Sequence, residues 1–471
     1  MKKNIYAILA IAALVCACNT KENYTPEEVD GIPFVATVQT DAYTRAVAES
    51  GGDITVNFAE SETIALVYEV SSTPYKTDAT ITSVDGSGKA TITATLQTGV
   101  TDGTAVTLIY PASAADGTTG NVLASALSAQ DGTLSAARDV RKGTGTIKVD
   151  GTASLASGAT LEAQYAICKF EVEDVDGSNS VYVSSFVVKD ASDNVITTVT
   201  PGSATSTLYV ALPATSGLIW FEAVASDKPY VAKGTASLTA GNFYTPTVKM
   251  ATIFNVIGQN GKFYKDKAAA KAASTLASAI IASLGEDTAE AGYPHGLAIG
   301  MGVSNGMTRK WKNEGTASHS QYSSYSLALA AKESGSALCA GKNNADNYPA
   351  FYAALNNSVS AADGITSSKP SSGTSNWFLP SAYQMNLIIK GLRGTSANLT
   401  NMDQSVLRGT DILYTIQAVG YYSSAPWSST GNYVWTSTEK SDDEAWSYAS
   451  SGSLEGKNKT GGAYVLATLA F

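Results

Sequence analysis

Residues 375–388, SNWFLPSAYQMNLI, are the stretch around which the C-terminal part of the chain is organised. The run WFLP is typical of an extended segment, and it leads directly into a helical pattern. Ser381 can cap the first helical turn while Gln384 reaches back to the free amide, which is the spacing of a capping box. Gly394 then lies just past the end of the predicted helix. We therefore expect an extended segment that runs straight into a capped helix.

Three further segments follow this junction, namely YVWTSTE at residues 433–439, AWSY at 445–448 and YVLATLAF at 464–471. A W-x-L-P-S-x-x-Q segment followed by YVWTSTE and an apolar strand resembles the C-type-lectin-like domain of many Bacteroidales surface lipoproteins and pilus-tip adhesins. It is more distantly similar to formylglycine-generating sulfatase-modifying proteins. The resemblance covers residues 253–471 and implies a C-type-lectin-like fold, but it specifies no ligand.

The composition bounds the class of protein. With 471 residues the chain is long enough for two to four domains. Only 15% of residues are charged, and 24 tyrosines outnumber 11 phenylalanines, which suits extracellular sheet proteins. The net charge of −10 excludes nucleic acid and anionic membrane surfaces as natural partners.

The first eighteen residues predict the compartment. Lys2 and Lys3 precede an apolar run at 5–15 that is too short to span a bilayer, so residues 1–18 are predicted to be a secretory signal. The VCAC motif at 15–18 looks like a lipobox, with Cys18 as the acylated, palmitate-bearing first residue of the mature lipoprotein. Residues 19–30 are polar and are interpreted as a tether. The other interpretation is an ordinary cleaved signal with two incidental cysteines.

The remaining cysteines, Cys168 and Cys339, fall in different predicted domains. A disulfide between them is not expected, and their spacing matches no metal motif. We expect both to be buried thiols that pack as small hydrophobic residues.

Alternation begins immediately after the tether. Ile32, Phe34, Ala36 and Val38 point to one face of a predicted strand. Pro33 cannot donate a ladder hydrogen bond, so it predicts the start of a strand or an edge strand.

This strand begins a series of weak motifs whose order is informative. The segments are IPFVATV at 32–38, TRA at 44–46, TIALVY at 63–68, AVTLIYP at 105–111 and QDGT at 130–133. Their order resembles the fimbrillin family of Bacteroidales pilins over residues 31–250. The tryptophan that usually precedes the third strand is replaced by Phe58.

Short β-branched segments continue to residue 250, separated by Gly, Asp, Asn, Ser and Pro. They lie at 90–96, 145–149, 165–172, 181–188, 194–199, 207–212, 218–224 and 242–249. Their spacing predicts two successive β-sandwiches of the transthyretin or immunoglobulin type, at 31–150 and 151–250.

The region 253–471 has a different character. A hairpin is predicted at 254–264, followed by a helix at 267–284 that Asp266 would cap. A short strand at 295–299 and helices at 325–332 and 348–355 come next. Helices in one part of a domain and strands in another indicate an α+β fold, in agreement with the lectin-like resemblance.

Nothing in the sequence predicts an enzyme. Acyl transfer needs a base beside a nucleophile, and neither of the two histidines lies in such a motif. His295 is interpreted as a structural turn residue and His319 as a solvated loop residue. The copper-binding cysteine pair of the formylglycine-generating proteins has only Cys339 as a counterpart here.

An acidic run invites two other interpretations. Glu439, Asp442, Asp443 and Glu444 could supply a glycosidase carboxylate pair or, with Asn432, oxygen ligands for calcium. Such a run is usually a solvated face, and the Glu-Pro-Asn and Trp-Asn-Asp signatures of calcium-dependent lectins are absent from the sequence. We therefore predict no metal and no cofactor.

Aromatic residues are the remaining candidates for ligand binding. Trp377 and Trp435, which lie inside the fold motifs, are expected in the core. Tyr421, Tyr422 and Trp427 lie in a Ser/Pro/Gly-rich stretch without periodicity, and they either pack the loop or form an exposed ligand-binding surface.

The fimbrillin resemblance also implies an assembly mechanism. An arginine-specific protease would cut after Arg45, remove the lipid and the strand from Ile32 to Val38, and leave a groove for a strand of the next subunit. With the lectin-like domain following, no free donor tail is expected, which predicts a tip position. The other interpretation of Arg45 is an exposed loop residue of a permanent lipoprotein.

The resulting functional prediction is a non-enzymatic adhesin, first an outer-membrane lipoprotein on the cell surface and then part of a fimbrium. Its partners would be other fimbrial subunits and a host or microbial glycan or protein. The alternative is an outer-membrane lipoprotein that binds glycan without polymerising.

Overall fold

The computed structural model describes residues 31–40, 46–50, 53–55, 58–135, 138–301, 308–313, 319–357, 364–393, 433–449 and 453–471. Strands dominate these residues, which confirms the prediction of a mostly β protein. In the described part of the chain, no helix combines the length and the apolarity needed to cross a bilayer.

Most strands of the N-terminal part form one large sheet. Up to residue 163 the chain forms β1 (Gly31–Thr40), β2 (Ala46–Ser50), β3 (Asp53–Thr55), β4 (Thr63–Val70), β5 (Thr73–Val84), β6 (Ala90–Gln97), β7 (Ala105–Tyr110), a 3-10 turn (Ala112–Ala114), α1 (Ser125–Ser128), β8 (Ala129–Gln130), β9 (Arg141–Asp150), β10 (Thr152–Leu155) and β11 (Ala159–Ala163). The sheet order is β10-β1-β11-β9-β7-β4-β5-β6, and β1 also pairs with β6. The pairings therefore form a closed circuit, with β2 and β3 as a separate hairpin.

This first sheet continues past residue 150, where the sequence predicted the domain boundary. The chain reverses after Asp150 and forms an antiparallel hairpin between β9 and β10, with Thr152 opposite Asp150. Both β10 and β11 then pair with β1. The stretch that follows β9 is thus a tight turn, and β12, which begins at Ala166, is the first strand after it that lies in a different sheet.

The second domain consists of two facing sheets. It contains β12 (Ala166–Asp174), β13 (Ser185–Lys189), β14 (Val195–Val199), β15 (Thr207–Leu212), β16 (Thr215–Ala225), β17 (Lys228–Leu238), β18 (Phe243–Tyr244) and β19 (Thr247–Met250). One sheet has the order β15-β12-β18 with β19 also on β12, and the other has the order β17-β16-β13-β14-β8. Phe170, Phe186 and Phe221 meet in the shared core.

The third domain combines a five-stranded sheet with short helices and a smaller sheet. Its elements are β20 (Val256–Gly258), β21 (Phe263–Tyr264), α2 (Lys267–Ala272), β22 (Ala277–Leu284), β23 (Gly296–Gly300), β24 (Arg309–Lys310), α3 (Tyr325–Ala330), α4 (Gly335–Cys339), α5 (Pro349–Asn356), α6 (Ala382–Arg393), β25 (Tyr433–Glu439), β26 (Glu444–Ala449), β27 (Leu454–Asn458), β28 (Gly462–Ala463) and β29 (Thr468–Ala470). The central sheet has the order β21-β20-β22-β23-β29, and β25-β26-β27 form the second sheet. β24 pairs with β28.

The capping box at the start of α6 is formed as predicted. The amide of Gln384 donates to Ser381 Oγ over 3.2 Å, and the amide of Ser381 donates to Gln384 Oε1 over 3.0 Å. Gly391 then allows α6 to lie directly on β22, because a Cβ atom at that position would overlap the carbonyl oxygen of Ala282. The junction at 375–388 thus fixes the main helix on the central sheet.

The predicted helix at 267–284 is wrong in its second half. Asp266 caps α2 as predicted, accepting from the Ala269 amide over 2.8 Å, but this helix ends at Ala272. The rest forms β22, in which all eight side chains are buried. Alternate residues of β22 face two different cores, one under α6 and one against the second domain. A strand buried on both faces has no polar alternation, so its sequence resembles a buried helix.

Candidate functional site

The first strand, β1, closes the N-terminal sheet by pairing with strands on both of its sides; we call this closure the seam. It pairs antiparallel with β6 from Gly31 to Val38. On its other side it runs parallel to β10 at Phe34 and to β11 from Val38 to Thr40. It is therefore an interior strand, and Pro33 lies before the first position at which both neighbours are paired.

The predicted alternation along β1 is confirmed. Phe34 and Val38 are each 1% exposed and Ala36 is 7% exposed, while Ile32 is half-buried against the same core. On the opposite face Val35 is 50% exposed. The strand thus contributes one continuous apolar edge to the core of the first domain.

β1 fills a groove between β6 on one side and β10 and β11 on the other. The position of β11 in this groove depends on a close approach to β9. A Cβ atom at Gly143 of β9 would lie 2.5 Å from the carbonyl oxygen of Thr160, so glycine is needed for β11 to lie against β9. Thr160 Oγ1 in turn accepts a hydrogen bond from Gln39 of β1 over 3.2 Å. The C-terminal end of β1 is therefore held to β11, which is itself packed closely on β9.

Several predicted site residues lie outside the described residues. These are the lipidation residue Cys18, the cleavage residue Arg45, and the candidate ligand-binding residues Tyr421, Tyr422 and Trp427. In the sequence, Arg45 lies between the last residue of β1 and the first residue of β2.

The described tryptophans of the third domain are structural. Trp377 and Trp435 are buried as predicted, and so are Trp311 and Trp446. Each indole N–H donates to a backbone carbonyl over 2.7 to 3.1 Å: Trp311 to Thr436, Trp377 to Ser367, Trp435 to Arg309 and Trp446 to Tyr322. These rings are therefore committed to the core and offer no face to a ligand.

The acidic run is divided: Asp442 and Asp443 are exposed, as predicted for a solvated face, and Glu444 is half-buried, whereas Glu439 departs from the prediction. Glu439 is fully buried, and its carboxylate lies 3.3 Å from the ammonium of Lys459. Glu444 instead pairs with Lys440 over 2.7 Å, and Asp442 accepts from Gln321 over 2.7 Å. Within the described ranges these carboxylates do not converge on a common point as calcium ligands would. A fully buried Glu439 is also out of reach of a glycan substrate.

His319 was predicted to be solvated, and the structure corrects this. Its ring packs against Trp311 and Phe351, and Lys342 Nζ lies 3.4 Å from its Nδ1. Burial, together with the neighbouring lysine charge, lowers the pKa of His319 to about 4. The residue is therefore a neutral part of the packing at neutral pH.

His295 joins the second domain to the third. Its ring stacks on Trp220 of β16 with centroids 3.8 Å apart, and its Nδ1 lies 2.9 Å from Glu222 Oε1. Lys189 Nζ lies 2.9 Å from both Glu222 and Asp193. Burial raises the pKa of Glu222, but the hydrogen bonds from His295 and Lys189 outweigh it and hold this pKa below its usual value. His295 is thus structural, as predicted, although it lies in an interdomain contact.

Asp193, Glu222 and His295 are the group in the described part of the chain whose ligand atoms come close enough to hold a metal. Lys189 already contacts both carboxylates, so a cationic group occupies the position between them. The cluster is therefore interpreted as an ion-pair network that fixes the domain junction.

Cys168 and Cys339 are buried free thiols, as predicted. Burial raises the pKa of Cys168 and of Cys339 to about 12. Cys339 Sγ also accepts from the Leu379 amide over 3.3 Å. Thiolate chemistry is therefore suppressed at both positions.

The strand β29 lies inside the third domain. It pairs with β23, and on its other side the Phe378 amide donates to the Thr468 carbonyl over 2.8 Å. Leu469 and Phe471 are both buried. This apolar segment is thus part of the central sheet and the core.

Comparison with known proteins gives distant structural similarities. No family model and no curated protein matches the sequence. A fimbrial protein from Bacteroides ovatus has 14% identity and a TM-score of 0.32, over 94% of this chain and 99% of its own. A fimbrial assembly protein from Parabacteroides distasonis has 10% identity and a TM-score of 0.27, over 46% of this chain and 90% of its own. At TM-scores below 0.5 a common fold does not follow, so the function is argued from the residues.

Proposed function

We propose that this chain is a cell-surface adhesin subunit that accepts a strand from another fimbrial subunit in place of β1. In this proposal an arginine-specific cut after Arg45 releases the lipid-bearing segment together with the strand that carries Ile32, Phe34, Ala36 and Val38. The observation that carries the proposal is the position of β1, which closes the sheet and is hydrogen-bonded on both sides.

Removal of β1 leaves a groove with an open strand edge on each side. β6 on one side and β10 and β11 on the other would each lose one of their two ladder partners. Exposed strand edges pair readily with another extended chain, and the apolar floor between them favours the same event.

The energy involved is large relative to domain stability. Exposing the inward side chains of β1 uncovers on the order of 300–500 Å² of apolar surface, worth about 10 kcal/mol at about 25 cal/mol per Å² as an upper bound. An incoming strand with suitable side chains recovers this energy together with the main-chain hydrogen bonds.

A tip position is supported by the third domain. The apolar strand β29 is buried between β23 and the segment around Phe378, so releasing it for a neighbour would open the core of that domain. A subunit that accepts a strand but keeps its own would end the polymer.

The proposal also includes a lipid anchor and a ligand. Cys18 would anchor the precursor in the outer membrane, and the lectin-like domain at 253–471 would bind a host or microbial glycan or protein through Tyr421, Tyr422 and Trp427. The described tryptophans of the domain are all buried in its core, so the proposal assigns ligand binding to this aromatic segment instead.

The test is limited digestion of the folded, lipid-free chain with an arginine-specific protease, with the new N-terminus read by mass spectrometry. Arg45→Lys is the matched control, since it keeps the charge and removes the cleavage site. A cut after Arg45 that allows a synthetic strand or a stalk subunit to bind supports the proposal, and the R45K protein should bind neither.

The alternative is a permanent outer-membrane lipoprotein that binds glycan without polymerising. The complete integration of β1 into the sheet favours it, because the uncut chain already has a closed first domain. Resistance of Arg45 to the protease in the folded protein, or a cut that leads to no strand binding, would replace the adhesin proposal with this one.

A further inference from the structure

At three of the four inward positions of β1, side-chain sizes are matched to those of the neighbouring strands. At the fourth, Ile32 lies opposite Leu96, so two large side chains meet there. Phe34 lies opposite Ala94 of β6 and Ala153 of β10, so the largest side chain has an alanine on each side. The next inward residue, Ala36, lies opposite Ile92. The pattern is therefore large against small and then small against large.

The third inward position repeats the first on a smaller scale. Val38 lies opposite Ala90 of β6 and Ala159 of β11. Phe34, Ala36 and Val38 are buried, and of the residues opposite them only Ala94 is half-buried instead of buried. Residues directly opposite each other on one face share the same space, so a change of size at one position creates either a void or an overlap.

We infer that the groove selects its occupant by the order of side-chain sizes. The occupant is a segment of another protein that runs antiparallel to β6. It carries an aromatic residue at the Phe34 position, an alanine-sized residue at the Ala36 position and a β-branched residue at the Val38 position. This inference rests on the proposed function, since it describes the strand that would replace β1.

The size match is first tested in the intact chain. Ala36→Phe should lower the thermal midpoint because its ring overlaps Ile92, and adding Ile92→Ala should recover part of the loss. Leu96→Ala is the control, since Leu96 lies opposite Ile32 and makes no room at position 36. Equal recovery by Ile92→Ala and Leu96→Ala, or no recovery by either, would overturn the size match.

Selection is then tested by strand exchange. A specific protease site replaces residues 41–45, the full chain is folded, and the linker is cut with β1 in place. One labelled peptide has the β1 sequence GIPFVATVQT. The other, GIPAVFTVQT, has the same composition with the aromatic residue and the alanine exchanged. We expect the second to bind at least about tenfold more weakly, because it leaves a void at one position and an overlap at the next.

The outcomes separate the two proposals. Preferential entry of the β1 sequence supports both. Equal entry of both peptides leaves strand acceptance intact and overturns size selection. If neither peptide enters, even when the cut protein is unfolded and refolded with the peptide in excess, strand acceptance itself is overturned and the inference falls with it.

Discussion

The carboxylate of Glu439 and the ammonium of Lys459 lie 3.3 Å apart in the interior of the third domain, and neither side chain is more than 1% exposed. Lys459 also donates to the carbonyl oxygen of Asp442 over 2.8 Å, which links the end of β25 to the turn before β28. Two charges removed from water in this way depend on each other, because loss of one weakens the electrostatic compensation of the other.

Lys459→Met should therefore destabilise the third domain strongly. We expect a loss of about 3–5 kcal/mol in the free energy of unfolding, as for other buried pairs in which one partner is removed. Urea unfolding followed by tryptophan fluorescence measures it, since Trp311 lies beside the pair. The double change Glu439→Met with Lys459→Met should recover much of the loss, and a double variant no more stable than Lys459→Met would contradict this explanation.

His319 should make stability depend on pH. Burial lowers its folded pKa to about 4 from an ordinary value of 6.5. Between these two pH values the unfolded chain binds a proton that the folded chain does not. The contribution of neutral His319 to the free energy of unfolding is therefore complete above pH 6.5 and is lost as the pH falls towards 4. The difference in thermal midpoint between the parent protein and His319→Gln should shrink as the pH falls from 6.5 towards 4. A difference that stays constant with pH would exclude His319 as the source.

The Gln384 side chain should contribute more to the free energy of unfolding than a helix cap alone. Its side chain accepts from the amides of Ser381 and Gly335 and donates to the Thr288 carbonyl and to Glu290. Gln384→Ala removes four buried hydrogen bonds at once, so we expect a loss of about 2–4 kcal/mol in the free energy of unfolding, measured with denaturant.

Two variants define that effect. Ser324→Ala removes the cap of the short helix α3 and should cost about 1 kcal/mol, which is the ordinary value of a cap. Gln384→Glu places a second carboxylate beside Glu290, so this variant should be less stable at neutral pH than at acidic pH. If Gln384→Ala costs no more than Ser324→Ala, the buried network contributes little.

The contact between His295 and Trp220 should couple unfolding of the second and third domains. His295→Phe keeps a flat ring on Trp220 but loses the hydrogen bond to Glu222, whereas His295→Ala loses both interactions. We expect a lower thermal midpoint for each and a separation into two transitions only for His295→Ala, measured by scanning calorimetry. A single transition for His295→Ala would mean that the surrounding apolar contacts suffice for coupling.

Local signals in the sequence were sufficient for several features. The capping box at Ser381 and Gln384, the Asp266 cap and the alternation along β1 each depend on residues a few positions apart. The predicted helices at 325–332 and 348–355 correspond to α3 and α5 within a few residues. Physical rules with a period of two or of three to four residues apply directly to such segments.

Features that depend on distant partners could not be predicted in this way. The interior position of β1 follows from its pairing with β10 and β11, and the boundary after Ala163 follows from the same pairing. Glu439 looked solvated because its sequence neighbours are acidic, whereas its partner Lys459 lies 20 positions away. β22 looked helical because both of its faces are covered by other elements.

The long separation between β1 and its partners also sets the order of events during folding. Gln39 and Thr160, which meet across the seam, are 121 positions apart in the chain. Contacts of such sequence separation form slowly, so we expect the rest of the groove to be in place before β1 inserts. At that stage β1 competes with foreign strands as a tethered ligand, at an effective concentration on the order of millimolar. If the proposed function is right, strands of other subunits at micromolar concentration would lose this competition as long as the link at residues 41–45 is intact.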